Sequence, residues 1–367
     1  MKQYFFASIV LFGSFFHSCA FVNSDRVVAT VPVGITPAGL ALTPDDAFAY
    51  VANNNNYTYT GMDTVSVIDL SNNTVIKTIH DASFNEPYTV TINKDGTKAY
   101  ITNSNSTTIT IIDIKTNSVS GIIYGFDGPS GLVITPDQKR GYVNNYGGPE
   151  GVGSGNAVTL NIVDLVSLAI TGTIHVDLAP AALAISSDGA RVYSANYVDG
   201  NPGTGTVNVI DTASNTLTAT IFGFSGPFDI VLTPDDKYAY VTNFGSNNFI
   251  PVGTTVSVAD LKKNVIIQTI DVGLQPAGIA LTPNGRFAVV TNYNTLYADY
   301  ENFTDLTPGE GTINIIDTKT NTVTPVTVVV GQSPANIAIA SNAKYAYISN
   351  YTANTVSVVN ILERAWL

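Results

Sequence analysis

The sequence predicts an all-β chain, a seven-bladed β-propeller of four-stranded blades whose ring is closed by an N-terminal strand completing the last blade. Three observations predict it. A four-residue phrase ending in Asn occurs seven times, as Tyr50-Val51-Ala52-Asn53, Tyr100-Ile101-Thr102-Asn103, Tyr142-Val143-Asn144-Asn145, Tyr193-Ser194-Ala195-Asn196, Tyr240-Val241-Thr242-Asn243, Val289-Val290-Thr291-Asn292 and Tyr347-Ile348-Ser349-Asn350, at intervals of 42 to 58 residues. Each copy sits in the same train of short strand-type segments and turn residues. What the last copy lacks at the C-terminal end stands at the N-terminal end. A strand-rich repeat of this length is a propeller or a related array.

Every unit opens at a proline: Pro37, Pro87, Pro129, Pro180, Pro227, Pro276 and Pro334. An apolar run follows, as in 39–43, and in most units a tight turn such as Pro44-Asp45, Asp95-Gly96 or Pro136-Asp137. The signature strand comes next, then an alternating Val/Ile strand. That strand ends at Asp69, Asp113, Asp164, Asp211, Asp260 or Asp317, with Asn360 in the seventh unit. A polar turn such as Ser71-Asn72-Asn73 leads into the last strand, 74–79 in the first unit. Four short strands bounded by residues that turn the chain make one blade. The signature Asn and the strand-end Asp are both expected to form turns through their own side chains.

The seventh unit stops after its third strand, 355–360, and a stretch resembling a fourth strand stands at 26–31. Pairing the two closes the ring and removes free sheet edges that would invite aggregation. The propeller is thereby expected over residues 25–361 as a single domain, with 362–367 as a C-terminal tail.

The signatures and the Pro-x-x-hydrophobic openings resemble the YVTN-repeat β-propellers, a family of bacterial and archaeal secreted or surface proteins. The resemblance covers the chain after residue 25. It implies a fold and leaves the activity open, because propellers host binding, structural and enzymatic roles. Architectural relatives include a lactonase-type propeller, quinone- and haem-linked redox subunits, and a periplasmic DNA binder.

Residues 1–20 are different in kind. Lys2 precedes an apolar run over 4–16, too short for a membrane span, and small residues follow. This is the pattern of a signal peptide, so the protein is expected to be exported, to the periplasm, the medium or the cell surface. The single Cys, Cys19, falls at the cleavage junction. Two readings stand open: a residue of a discarded leader, or the lipid-attachment Cys of a lipoprotein. Membrane contact is expected only through such an anchor. One Cys also excludes a disulfide within the chain.

Strand direction assigns loops to faces. Turns after strands one and three share one face, which carries tight, uniform hairpins. The other face carries the pre-proline segments and the variable loops after each signature Asn, where recognition usually sits. Acids concentrate on this loop face (Asp63, Asp81, Glu86, Asp127, Glu150, Asp177, Asp199, Asp271, Asp299, Glu301, Asp305 and Glu310), with no Lys or Arg assigned there. On the hairpin face bases and acids nearly balance. The formal net charge of −12 is therefore placed almost wholly on one side. Such a field attracts cations or basic partners and opposes phosphate backbones, so nucleic-acid binding is disfavoured. It serves solubility equally well.

The loop face also carries rings. An aromatic follows the signature Asn at Tyr146, Tyr197, Phe244, Tyr293 and Tyr351, and the longer loops add others. Rings beside carboxylates and amides suit cationic groups or saccharides, although a ring recurring in five blades is expected first to pack between neighbours. Two residues after each proline stand Gly39, Thr89, Gly131, Ala182, Asp229, Gly278 and Asn336. Most are small, as packing round a central channel demands. Asp229 and Asn336 break that rule and are candidate ligand contacts, with Tyr88 and Phe228 rimming the same mouth. A hydrogen-bonded core role for the two polar residues is the alternative.

Catalytic signals are weak. Beyond the leader the histidines are His80 and His175, each just after an outer strand, and no Ser-His-Asp set or metal-spaced cluster can be assembled from them. The segment Asp299, Glu301, Asp305 and Glu310 could hold Ca²⁺ through oxygen ligands, although it lacks EF-hand spacing; otherwise no cofactor is expected. The sequence thus points to an exported, non-catalytic binding or interaction module whose ligand is a protein, a cationic group or a saccharide. A lactonase-like or redox-accessory propeller is the alternative, and a nucleic-acid binder comes third.

Overall fold

The computed structural model describes residues 21–22, 26–55, 63–147, 157–198, 201–245, 252–297 and 306–362. Blade 1 consists of Pro37–Leu42, Phe48–Asn53, Thr64–Asp69 and Thr74–His80, each strand antiparallel to the next. Five more blades repeat this order from Pro87–Ile92, Pro129–Ile134, Pro180–Ile185, Pro227–Leu232 and Pro276–Leu281. Blade 7 takes Pro334–Ile339, Tyr345–Asn350 and Thr355–Asn360 from the C-terminal end, and Val27–Pro32 as its outer strand. First strands of successive blades lie side by side, blade 7 against blade 1 included, so the ring is closed. One short addition is not legible in the repeat: Phe21–Val22 pairs in parallel with the outer strand of blade 6.

The layering explains the strand composition. Second and third strands are covered by blades on both sides, and Phe48–Asn53 and Thr64–Asp69 are buried almost throughout. Outer strands such as Ala169–His175 alternate between exposed and half-buried positions, with Ile174 buried against its neighbour. Each of the seven blade interfaces holds its own apolar cluster. Tyr50, Tyr142, Tyr193 and Tyr240 are the largest fully buried or nearly fully buried side chains in them. Burying such a ring is worth ~1.5–3 kcal/mol. Its hydroxyl still needs a partner: Tyr142 Oη donates to Asn215 Oδ1 of blade 4 at 2.8 Å, and Tyr50 bonds Asn117 of blade 2 in the same way. The signature Tyr is thus a blade-to-blade tie.

The signature Asn has a different role from the turn-forming one its composition predicts. All seven are buried, and each directs its amide across to the third strand of its own blade. Asn53 Nδ2 donates to Thr64 Oγ1 at 2.9 Å and Ser66 Oγ at 3.0 Å; Asn243 Nδ2 does the same to Thr255 and Ser257. The side chain projects along the sheet and not into the following turn. By contrast the strand-end Asp do form turns: Asp164 Oδ1 accepts from the amides of Val166 and Ser167, and Asp69 from that of Ser71. The Ser71 hydroxyl and amide at Asp69, and the Ser167 amide and hydroxyl with the Val166 amide at Asp164, hold these carboxyls below their usual pKa range.

Between blades the residue before the signature Asn often stitches the ring. Thr242 Oγ1 donates to Ala277 O of blade 6 at 2.8 Å, and Ser349 Oγ to Ala38 O of blade 1 at 2.5 Å. At the closure, Asp46 accepts from both the amide and the hydroxyl of Ser341, and Asn354 Oδ1 accepts from Thr36 N at 2.7 Å.

Candidate functional site

A bulge follows the opening proline of every blade, since the register with the second strand shifts within the next two or three residues. It turns the residue two beyond the proline toward the axis. All seven such residues, Gly39 through Asn336, line one axial cavity of about 520 Å³. Small side chains are required there. A Cβ on Gly39 would stand 2.4 Å from the carbonyl oxygen of Tyr88, and one on Gly278 2.8 Å from Asn336 Cα.

The mouth is built by a turn repeated in every blade. The residue before each proline (Thr36, Glu86, Gly128, Ala179, Gly226, Gln275, Ser333) has a positive φ of 46° to 60°. Its carbonyl accepts the amide of the residue following the signature Asn, as in Tyr293 N to Gln275 O at 3.0 Å. Five of the seven carry a Cβ, at a conformational cost of order 1–3 kcal/mol each. Recurrence in all blades marks this as architecture and not as a local site. Its consequence is to bring the post-Asn side chains of some blades beside the axis.

Those side chains form an arc. Phe228 stacks on Phe244 with centroids 5.0 Å apart, Phe244 meets Tyr293 edge-on at 6.0 Å, and Tyr293 tilts against Tyr351 at 6.2 Å. Each such pair is worth ~0.5–1.5 kcal/mol beyond burial. Tyr88 stands across the mouth; burial raises its phenol well above the usual range, and Tyr146, Tyr351, Asp229 and Tyr293 add to the shift. Tyr88, Phe228, Phe244, Tyr293 and Tyr351 all line the cavity.

Asp229 is the charged group among them. Its Oδ1 accepts from Ile230 N at 2.8 Å and its Oδ2 from Ile279 N of blade 6 at 3.0 Å. Asn336 has the corresponding contact in blade 7, its Oδ1 accepting from Leu40 N of blade 1 at 3.4 Å. Asp229 lies deep in the ring, and its remaining exposure is to the cavity. Burial pushes its carboxyl up to about 6, against the two amide donors that favour the charged form. Among the described residues no Lys, Arg or His lines the cavity.

Of the sequence candidates, the structure therefore brings Tyr88, Phe228, Asp229, Asn336, Tyr293 and Tyr351 together. Tyr146 and Tyr197 are not among the lining residues. The Tyr197 hydroxyl is turned into the protein, where it bonds the carbonyl of Gly245 in blade 5. Gln275, buried and lining the cavity, is not singled out by the sequence; its place before a unit-opening proline is the signal that could have found it. Of the Ca²⁺ candidates, Asp299, Glu301 and Asp305 lie outside the described residues, as does Cys19. Glu310 is exposed, and its carbonyl accepts from Asn294 Nδ2 at 2.8 Å. Among the described residues no group of three or more His, Cys, Asp or Glu side chains could hold a metal. His80 and His175 end outer strands and are exposed.

Comparison with known proteins bears on the fold. A 124-residue stretch is 33% identical to the "Seven-bladed beta-propeller protein Rv1057" of Mycobacterium tuberculosis (strain ATCC 25618 / H37Rv), covering 33% of this chain and 30% of that protein. A 59-residue stretch is 46% identical to the "PE-PGRS family protein PE_PGRS18" of the same organism, covering 16% of this chain and 13% of that protein. The chain thus matches less than a third of the length of either relative. No family model matches the sequence. Among solved structures, "Kuenenia stuttgartiensis Hydrazine Synthase" is similar with a TM-score of 0.72 at 20% identity, covering 89% of this chain and 96% of that one. At that identity the likeness concerns the fold alone. Together with the blade architecture these findings make the chain a seven-bladed β-propeller.

Proposed function

We propose that this propeller, of the YVTN type, is an exported binding module that takes its ligand at the loop-face mouth of the central channel. One observation carries the reading: five rings and an ionisable carboxylate, with no cationic partner among the described residues, converge on a cavity of about 520 Å³. Its size and mixed apolar and polar lining suit a small molecule or a side chain presented by a partner protein. The sequence's excess of acids on the loop face supports the same side as the point of approach for cationic or basic partners.

The test is a thermal-shift screen of the protein at low salt against amines, saccharides, lactones, Ca²⁺ and single-stranded DNA. A ligand at 100 times its Kd adds ~2.7 kcal/mol, which a melting curve resolves. The reading predicts a shift without turnover that is lost in the double variant Tyr88→Ala, Phe228→Ala. A shift insensitive to that double variant would contradict it.

A second reading rests on Asp229 itself. A carboxyl titrating at about 6 in a cavity could act as a general base in a lactonase-like hydrolase. Lactone hydrolysis abolished by Asp229→Asn would establish it and displace the non-catalytic reading.

A further inference from the structure

We propose that the channel mouth receives a protonated amine on a small apolar or aromatic frame, with the ammonium against Asp229 and the frame on the aromatic collar. This rests on the binding-module reading and gives it a ligand class. Two residues at one repeat position carry it. Asp229 and Asn336 both stand two beyond their proline, and both accept a backbone amide from the next blade. Asn336 makes that contact with a neutral side chain. The structural role therefore needs an oxygen and does not need a charge.

The charge at Asp229 is an extra, and the surroundings do not neutralise it. The ion pairs among the described residues, Lys237–Asp235, Lys263–Asp260 and Arg286–Asp317, involve other carboxylates. Each Asp229 oxygen accepts one amide, which leaves further lone pairs for a ligand's N–H donors. A carboxylate in such a place costs stability unless something positive joins it, and aromatic rings line the same cavity, whose faces attract cations. A neutral saccharide could use Thr89, Gln275 and Asn336, yet it would leave the anion uncompensated against a wall whose remainder (Gly39, Ala182, Leu183, Ala277) is apolar. A cationic ligand matches both the charge and the apolar wall.

The experiment is isothermal titration of the full chain at pH 7.5 with 2-phenylethylamine and with its neutral counterpart 2-phenylethanol. The amine is expected to bind about tenfold or more tightly than the alcohol, because a charge-assisted contact adds to stacking common to both. Asp229→Asn is expected to remove that tenfold advantage while leaving the alcohol unchanged. Phe228→Ala is expected to weaken both severalfold. Melting temperatures of the variants confirm that each remains folded. Equal affinities for the two probes, no binding of the amine, or an amine affinity indifferent to Asp229→Asn would each overturn the amine assignment. A saccharide that shifts the melting temperature and loses its effect in Phe228→Ala would leave the binding module standing with the amine class wrong.

Discussion

Blade 1 and blade 5 meet the channel at the same repeat position with opposite solutions. Blade 1 places Gly39 there because a Cβ would collide with the Tyr88 carbonyl at 2.4 Å. Blade 5 places Asp229, whose side chain spans to the Ile279 amide of the next blade. Blade 7 follows blade 5 with Asn336. A ring of like blades thus joins its central strands by bare contact or by a side-chain hydrogen bond. Only the blade 5 solution introduces a charge, and that difference locates the chemistry of the channel.

The largest expected effect comes from erasing the difference the wrong way. Gly39→Asp puts the blade 5 residue where backbone already fills the space. Overpacking against main chain is expected to cost about 3 kcal/mol or more, read as a fall in the urea midpoint at unchanged slope.

Asp229→Asn sharpens the comparison through pH. A carboxyl whose folded pKa is raised binds protons more readily folded than unfolded, so stability falls as pH rises from about 4 to about 6 and then levels. A shift from 3.8 to about 6 corresponds to about 3 kcal/mol over that window. The stability difference between parent and variant in urea melts should change by about that component between pH 4 and pH 7, because the carboxyls with lowered pKa values are common to both. The variant's loss of one amide acceptor, worth ~1 kcal/mol, offsets it independently of pH.

Asn336→Asp duplicates the charge in blade 7. A second buried carboxylate without a cation is expected to lower stability above pH 6 by ~1–3 kcal/mol, and two carboxylates sharing the channel should titrate higher than one. Carboxyl titration by NMR reads both. The smallest effect is expected from Asn336→Ala, which removes a long 3.4 Å contact and should cost under ~1 kcal/mol in chemical denaturation.

The sequence makes the ring, its blade count and its closure legible because they follow from local signals repeated seven times. Turn residues, strand alternation and the opening prolines specify each blade without reference to the others. The positions of Tyr88, Phe228, Asp229 and Asn336 at the axis are legible for the same reason, since the repeat fixes which residue faces the channel. Contacts between units are harder to read. The signature Asn resembles a turn former, yet the register of its own blade pairs Asn53 with Thr64 and sets its amide against Thr64 and Ser66. Tyr197 and Tyr293 occupy equivalent repeat positions, but the first is held by Gly245 and the second joins the arc. Which way each ring turns depends on the neighbouring blade's loop, and no periodicity encodes that.

The central claim is an ionisable carboxylate at Asp229 that a cation completes, and carboxyl NMR measures it directly. Spectra of the ¹³C-labelled protein, assigned with Asp229→Asn, are followed through a pH titration with and without 2-phenylethylamine. The account predicts a midpoint at about 6 in the free protein and a clear fall when the amine is bound, because a positive neighbour favours the charged form. A midpoint in the ordinary aspartate range, or one that the amine leaves in place, would contradict it.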